Sequence, residues 1–353
     1  MAVTYHAGKR IQGTSTDFGT DGAGIPGVSG GWVELGRTTL GSAGDTIDVA
    51  SLPDKRYYMV LGHSLPTGQA RMQFRLNSDT GANYAYRASV DGGADVTAGS
   101  AVRIISGYGS TSLPQFTVAY LSNLSSKEKL FMSNTISQGT AGAGNAPNRQ
   151  ENVNKWANTS SVISSIQGSN DLGGDFNTNS EVVVLGYDPD DTHTSNFWEE
   201  LASVDWSSGS SISSGTISAK KYLWVQAYSK NDSTAGQAVI KFNSDGGTNY
   251  ADRYSYNSGT DGTDTSNVHG LLDTTSSAND LVFYNMFIVN NSANEKLIIN
   301  HSVNIGGTGA GNAPNRTENV LKWTNTSSQI TDIEFKRSSG NMTAGQIKVW
   351  GSN

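Results

Sequence analysis

The stretch GAGNAPNRQENVNKWANTSS (residues 142–161) returns as GAGNAPNRTENVLKWTNTSS (residues 309–328), and its first eight residues return letter for letter. The offset is 309 − 142 = 167. Other matches flank it in the same order. LNSDTGANYAYR (76–87) parallels FNSDGGTNYADR (242–253), PDKRYYMV (53–60) parallels SAKKYLWV (218–225), and KEKLFMS (127–133) parallels NEKLIIN (294–300). WVEL (32–35) parallels WEEL (198–201) near the start of each copy, and EVVVLG (181–186) parallels QIKVWG (346–351) near the end. A single order with offsets of 165 to 168 means one module duplicated in tandem. The first module spans residues 31–187 and the second 195–353, with DPDDTHT (188–194) as a Pro-containing acidic linker. Residues 1–30 have no counterpart and are rich in Gly, Thr and Asp, which suits an extended N-terminal arm or flexible leader, with plain terminal disorder as the competing reading.

Within each copy, short segments rich in Val, Ile, Tyr, Phe and Thr alternate with turn signals such as SDTG, SDGG and DGG. YYMVLGHSL, QFTVAYLSN and EVVVLGY belong to the first copy; YLWVQAYS, LVFYNMFIVN and KLIINHSVNI belong to the second. Helical periodicity is almost absent. The pattern predicts an all-β chain of two tandem duplicated β-sandwich modules, jelly-roll or lectin-like, with roughly eight or more strands each.

Charged residues make up 16% of the chain, against the usual ~25%, and Gly alone counts 41. The net charge is −7 and no basic run occurs, so nucleic acid is not an expected partner. There is no cysteine, which excludes disulfides and Cys-ligated zinc or iron–sulfur centres. The first residues lack the apolar core of a secretory signal, and no apolar run is long enough to span a membrane, so no membrane association is expected.

The repeated loop carries the first set of candidate residues. Gly142 and Gly144 permit positive φ, Pro147 fixes its own, and Asn145 and Asn148 can bond neighbouring backbone. In an extended continuation, Arg149, Glu151, Val153 and Lys155 share one face, and Asn152, Asn154 and Trp156 the other. The second copy repeats the set as Asn312, Asn315, Arg316, Glu318, Lys322 and Trp323. The loop lacks the GK[ST] ending and the following helix of a phosphate loop. It is expected to be a rigid contact loop, braced by the Arg–Glu pair and anchored by the Lys–Trp pair.

A second set forms candidate ligand loops: Asn77, Asp79, Asn83 and Tyr84, and their counterparts Asn243, Asp245, Asn249 and Tyr250. Carboxylate and amide oxygens suit calcium, and aromatic faces suit sugars. The competing reading is a Gly-containing turn capped by Asp79 and Asp245. Calcium is the one cofactor these oxygens would suit, there and in the acid-rich but irregular GTDGTDTS (259–266). The five His residues (His6, His63, His193, His269 and His301) show no metal-ligand spacing, and no metal site is expected. There is no thiol nucleophile. Glu34 and Glu200 occupy equivalent positions, which argues for structure over catalysis. No enzymatic activity is expected.

The repeated motifs, together with the opening KRIQGTSTDF (9–18), resemble those of β-sandwich structural proteins of tailed viruses, especially marine ones. The resemblance implies a virion component of capsid, decoration, tail or fibre type. It would be assembled in the host cytoplasm and carried in the extracellular particle. Its partners would be other virion proteins and further copies of itself. A carbohydrate-binding host-attachment protein is the alternative, and a glycan-degrading enzyme a third reading.

Overall fold

The computed structural model describes residues 28–29, 31–107, 112–188, 192–193, 196–276 and 280–353. Most of the expected arm and linker lies outside them. The exceptions are Asp188 and two short strands, β1 (Val28–Ser29) and β13 (Thr192–His193), which pair antiparallel with each other.

Among the described residues the chain is all-β, without a helix. The first module holds β2 (Val33–Thr39), β3 (Thr46–Val49), β4 (Tyr57–Ser64), β5 (Gln73–Leu76), β6 (Tyr84–Val90), β7 (Val96–Ala101), β8 (Gln115–Ser122), β9 (Lys129–Ser137), β10 (Asn148–Trp156), β11 (Ile166–Ser169) and β12 (Glu181–Tyr187). The second holds β14 (Glu199–Trp206), β15 (Ser211–Ser213), β16 (Tyr222–Asn231), β17 (Gly236–Phe242), β18 (Tyr250–Tyr256), β19 (Gly262–Asn267), β20 (Gly270–Ser276), β21 (Leu281–Val289), β22 (Lys296–Asn304), β23 (Asn315–Trp323), β24 (Ile333–Arg337) and β25 (Met342–Ser352).

Both modules share one topology. An eight-stranded antiparallel sheet, β2-β12-β4-β8-β9-β10-β6-β7, faces a small sheet, β3-β11-β5. In the second module the order is β14-β25-β16-β21-β22-β23-β18-β19, against β15-β24-β17-β20. Strand for strand the orders correspond. The extra β20 replaces an isolated bridge between Phe74 and Ile104 in the first module. Even the β-bulge recurs, at Val184/Leu185 in the pairing with β2 and at Glu200/Ala202 in the pairing with β25.

Each sandwich closes over its own core. Ile47, Val60, Phe74, Phe131, Trp156 and Val182 fill the first, and Val225, Ile240, Phe242, Ile298, Trp323 and Ile347 the second. Burial of side chains this size contributes about 1.5–3 kcal/mol each.

A third cluster joins the two modules. Met59, Leu61, Phe116, Val118, Ile136, Val183 and Leu185 from the first large sheet pack against Tyr222, Phe287, Val289, Leu297, Ile299 and Val320 from the second. These residues lie on the sheet faces turned away from the small sheets. In β4 and β12 both faces are therefore covered, and seven of eight residues in β4 are buried. That is why YYMVLGHS and EVVVLGY read as near-continuous apolar runs instead of alternating ones. The modules form one body through this face.

Candidate functional site: the duplicated loop and its two environments

The loop has the same internal construction in both copies. Gly142 and Gly309 both have φ +85, in the left-handed region that favours glycine. Asn145 N donates to Gly142 O (3.4 Å), and Asn312 N to Gly309 O (3.2 Å). The backbone N of Arg149 donates to Asp91 Oδ1, and that of Arg316 to Asn257 Oδ1, each at 2.9 Å. The expected Arg–Glu brace is present as Arg149–Glu151 and as Arg316–Glu318 at 3.2 Å. Along β10 the faces alternate as read: Val153 and Lys155 face out, and Asn152, Asn154 and Trp156 face in.

The surroundings differ completely. The first copy is docked on the second module. Arg149 Nε donates to Asp261 Oδ2 (2.9 Å) and its Nη2 to Asp261 Oδ1 (2.8 Å), with both side chains buried. Burial opposes the charge on Arg149, but its hydrogen bonds to Asp261 and the carboxylates of Glu151, Asp261 and Glu318 outweigh it and raise its pKa. Gly142 N donates to Glu295 Oε1 (2.6 Å), Ser266 N to Ala143 O (2.8 Å), and Arg253 Nε to Pro147 O (2.8 Å). Lys322 Nζ donates to the carbonyls of Gln138 (3.1 Å) and Thr140. The second copy is not docked: its Arg316 stands at the rim of the cleft it shares with Arg149. Arg316 is half exposed, and its guanidinium bonds the nearby Ser258 and Glu318. Lys155, the counterpart of Lys322, is exposed and pairs with Glu128 at 3.0 Å.

Burial of Lys322 is thus a property of the junction, and it lowers the pKa of the ammonium despite Glu295.

Neither Lys–Trp pair anchors the loop of its own copy, although Lys322 holds the loop of the first module. Trp156 and Trp323 lie at the far ends of β10 and β23, eight residues from Asn148 and Asn315. A strand advances about 3.3 Å per residue, which places the rings some 25 Å away. They anchor the candidate ligand loops instead. Trp156 Nε1 donates to Asp79 Oδ2, and Trp323 Nε1 to Asp245 Oδ2, each at 2.7 Å.

Those loops are tight turns. Asn77 and Ser78 both have positive φ (52 and 53), as do Asn243 and Ser244 (52 and 55), the pairing a type I′ turn requires. Asp79 also accepts from Gly81 N (2.8 Å) and Asn83 Nδ2 (2.9 Å); Asp245 does the same with Gly247 N and Asn249 Nδ2. Burial would raise both carboxyl pKa values, but these donors outweigh it and lower them. Asn77 and Asn243 reach across to the backbone after β10 and β23, at Val162 and Gln329. Tyr84 and Tyr250 are buried, and their hydroxyls accept from Leu76 N and Phe242 N. Every residue of the set is engaged inside the fold.

Two clefts open beside the docked loop. One, of about 300 Å³, is bounded by Met132, Val153, Arg87 and Asp95 with His301 and Glu318. The other, of about 220 Å³, is polar and lined by matched pairs: Ser89 with Ser255, Gly93 with Gly259, and Glu151 with Glu318. Burial raises the pKa of Glu151; Arg149 opposes this and Glu318 adds to it. Among the described residues no three His, Asp or Glu side chains gather to hold a metal ion. Glu34 pairs with Arg37 (2.9 Å) and Glu200 with Lys348 (3.3 Å), both at the surface.

Sequence reasoning did not single out Asp261, Glu295, Arg253 or Ser266 as loop partners. It also missed Glu181, buried in the junction, which accepts from Tyr222 Oη (2.8 Å) and pairs with Lys221 (3.0 Å). Hydrogen bonds from Thr39, Lys221 and Tyr222 hold its pKa low against burial. No local motif marks these residues; only the mutual packing of the modules brings them together.

No protein-family model and no curated protein matches the chain. Among solved structures, domains LG4-5 of the mouse laminin alpha1 chain align at 10% identity over 93% of this chain and 91% of that one, with a TM-score of 0.19. Pseudomonas aeruginosa OpdQ aligns at 5% identity over 83% and 97%, with a TM-score of 0.13. Likenesses at these scores decide neither fold nor function.

Proposed function

We propose that the protein is a non-enzymatic structural component of a virion, of capsid, decoration or tail-fibre type, acting through contacts between sheet faces. One observation carries the reading: the outer faces of the large sheets are apolar and serve as contact surfaces. Inside the molecule they build the junction core. Outside it, Leu130, Met132, Val153 and Phe283 remain exposed. Patches of this kind mark interaction surfaces. Mass spectrometry of purified particles tests it. Stoichiometric presence of the chain is expected, and its absence from particles contradicts the reading.

A second reading, glycan attachment, draws on the polar cleft. Its serine hydroxyls, with Arg149, Arg316 and two glutamates, suit a hydroxyl-rich ligand. A glycan array with the full chain tests it, and no binding at high protein concentration ends it.

A further inference from the structure

We infer that copies of this chain associate head to tail through two halves of the junction that the molecule itself leaves unused. The inference deepens the structural-component reading and rests on it for its biological setting.

The junction joins two different surfaces. The first module supplies a loop half: residues 138–149 with His63, Phe116 and Ile136. The second supplies a seat: Leu297, Ile299 and Val320, ringed by polar groups. Because the modules are copies, the second also carries a loop half and the first also carries a seat.

Burial shows that both spare halves are exposed, the seat at the mouth of the cleft it forms with His301 and Glu318. Leu297, Ile299 and Val320 are 0%, 4% and 4% exposed, while their counterparts Leu130, Met132 and Val153 are 59%, 57% and 53% exposed. His63, Phe116 and Ile136 are 1%, 1% and 0% exposed; Tyr228, Phe283 and Val303 are 42%, 44% and 42%. Each spare half is continuous. Val153 pairs directly with Met132 across β10 and β9, and Tyr228, Phe283 and Val303 form one row across β16, β21 and β22.

The polar ring is duplicated too. Arg87 pairs with Asp95 at 2.9 Å and Lys155 with Glu128 at 3.0 Å, locally and at the surface. Their counterparts Arg253, Asp261, Lys322 and Glu295 all reach the docked loop. Ser100 and Ser266 keep the same left-handed backbone, φ 53 and 52. The spare loop is identical to the docked one over its eight residues. Arg316 would therefore meet Asp95 as Arg149 meets Asp261, and Gly309 N would meet Glu128 as Gly142 N meets Glu295.

The fitting partner for each free half is thus the other free half, on a second copy of this chain. The surfaces differ, so the contact is heterologous and propagates into an open chain or a closed ring.

Sedimentation velocity on the full chain over a concentration series tests this. Wild type is expected to show a ladder of species that grows with concentration. Met132→Asp blocks the seat and Phe283→Asp blocks the loop half. Each variant alone is expected to stay monomeric, while an equimolar mixture gives a 1:1 complex that does not extend. Both positions are exposed, and unchanged circular dichroism and thermal midpoints confirm folding. A wild type that is monomeric throughout overturns the inference. So do variants that self-associate like wild type, or a mixture that stays monomeric. A monomeric protein still found in particles would sink this inference alone and leave the structural reading standing.

Discussion

Two arginines with identical local sequence have opposite energetic standing. Arg149 and Asp261 are both buried and doubly hydrogen-bonded. Removing one member of such a pair leaves an uncompensated charge in the interior, which costs about 3 kcal/mol or more. Arg316, in the same octapeptide, is half exposed, and surface changes usually stay within ~0.5 kcal/mol. Arg149→Ala is therefore expected to lower unfolding stability in urea by roughly 3 kcal/mol, and Arg316→Ala by under ~0.5 kcal/mol. Equal effects would contradict the docked-versus-free assignment. His63, at the same junction, gives a pH signature. Burial pushes its pKa down to about 3; Lys221 adds to the shift and Glu181 opposes it. As pH falls below the unfolded value of ~6.5, the unfolded chain takes up a proton that the folded chain refuses, so stability drops. The expected slope is about 1.4 kcal/mol per pH unit between pH 6.5 and about 3. His63→Gln should remove that component, as denaturation at pH 7 and 5 will show.

At the scale of elements, the sequence disclosed the repeat, the strands and the in–out alternation of β10, because period and turn chemistry are local. It also placed the Arg149–Glu151 brace, a same-face neighbour pair. It misplaced Trp156 and Trp323, because sequence proximity to the loop says nothing about the strand that separates them. Their partners, Asp79 and Asp245, lie some 77 and 78 residues earlier and meet them through the pairing of β10 with β6 and β23 with β18. The Asp–Trp link is therefore the element that fastens the turn after β5 or β17 to the sandwich. Asp79→Ala leaves a buried indole N–H without its acceptor, which costs about 1–3 kcal/mol. Asp245→Ala should behave alike. Both carboxyls have lowered pKa values, so their contribution is present above the unfolded value of ~3.9 and lost as pH falls through the folded one. Thermal melts from pH 6 to pH 2 should show an acid-side loss that shrinks in the double Asp→Asn variant.

For the whole molecule, duplication would suggest two independent beads on a linker. The continuous apolar runs of β4 and β12 belong instead to strands buried on both faces, which need a second layer outside the sandwich. What composition and period do not encode is which half of each repeated face is used. That choice breaks the equivalence of the modules. It turns one octapeptide into a docked loop at residues 142–149 and a free loop at residues 309–316. Amide hydrogen exchange on the dilute monomer tests this most directly, because identical sequences share nearly the same intrinsic exchange rates. The docked copy is expected to exchange far more slowly, Gly142 above all, since its N–H is held by Glu295. The free copy should exchange near the unprotected rate at Gly309. Equal rates in the two copies would contradict the account.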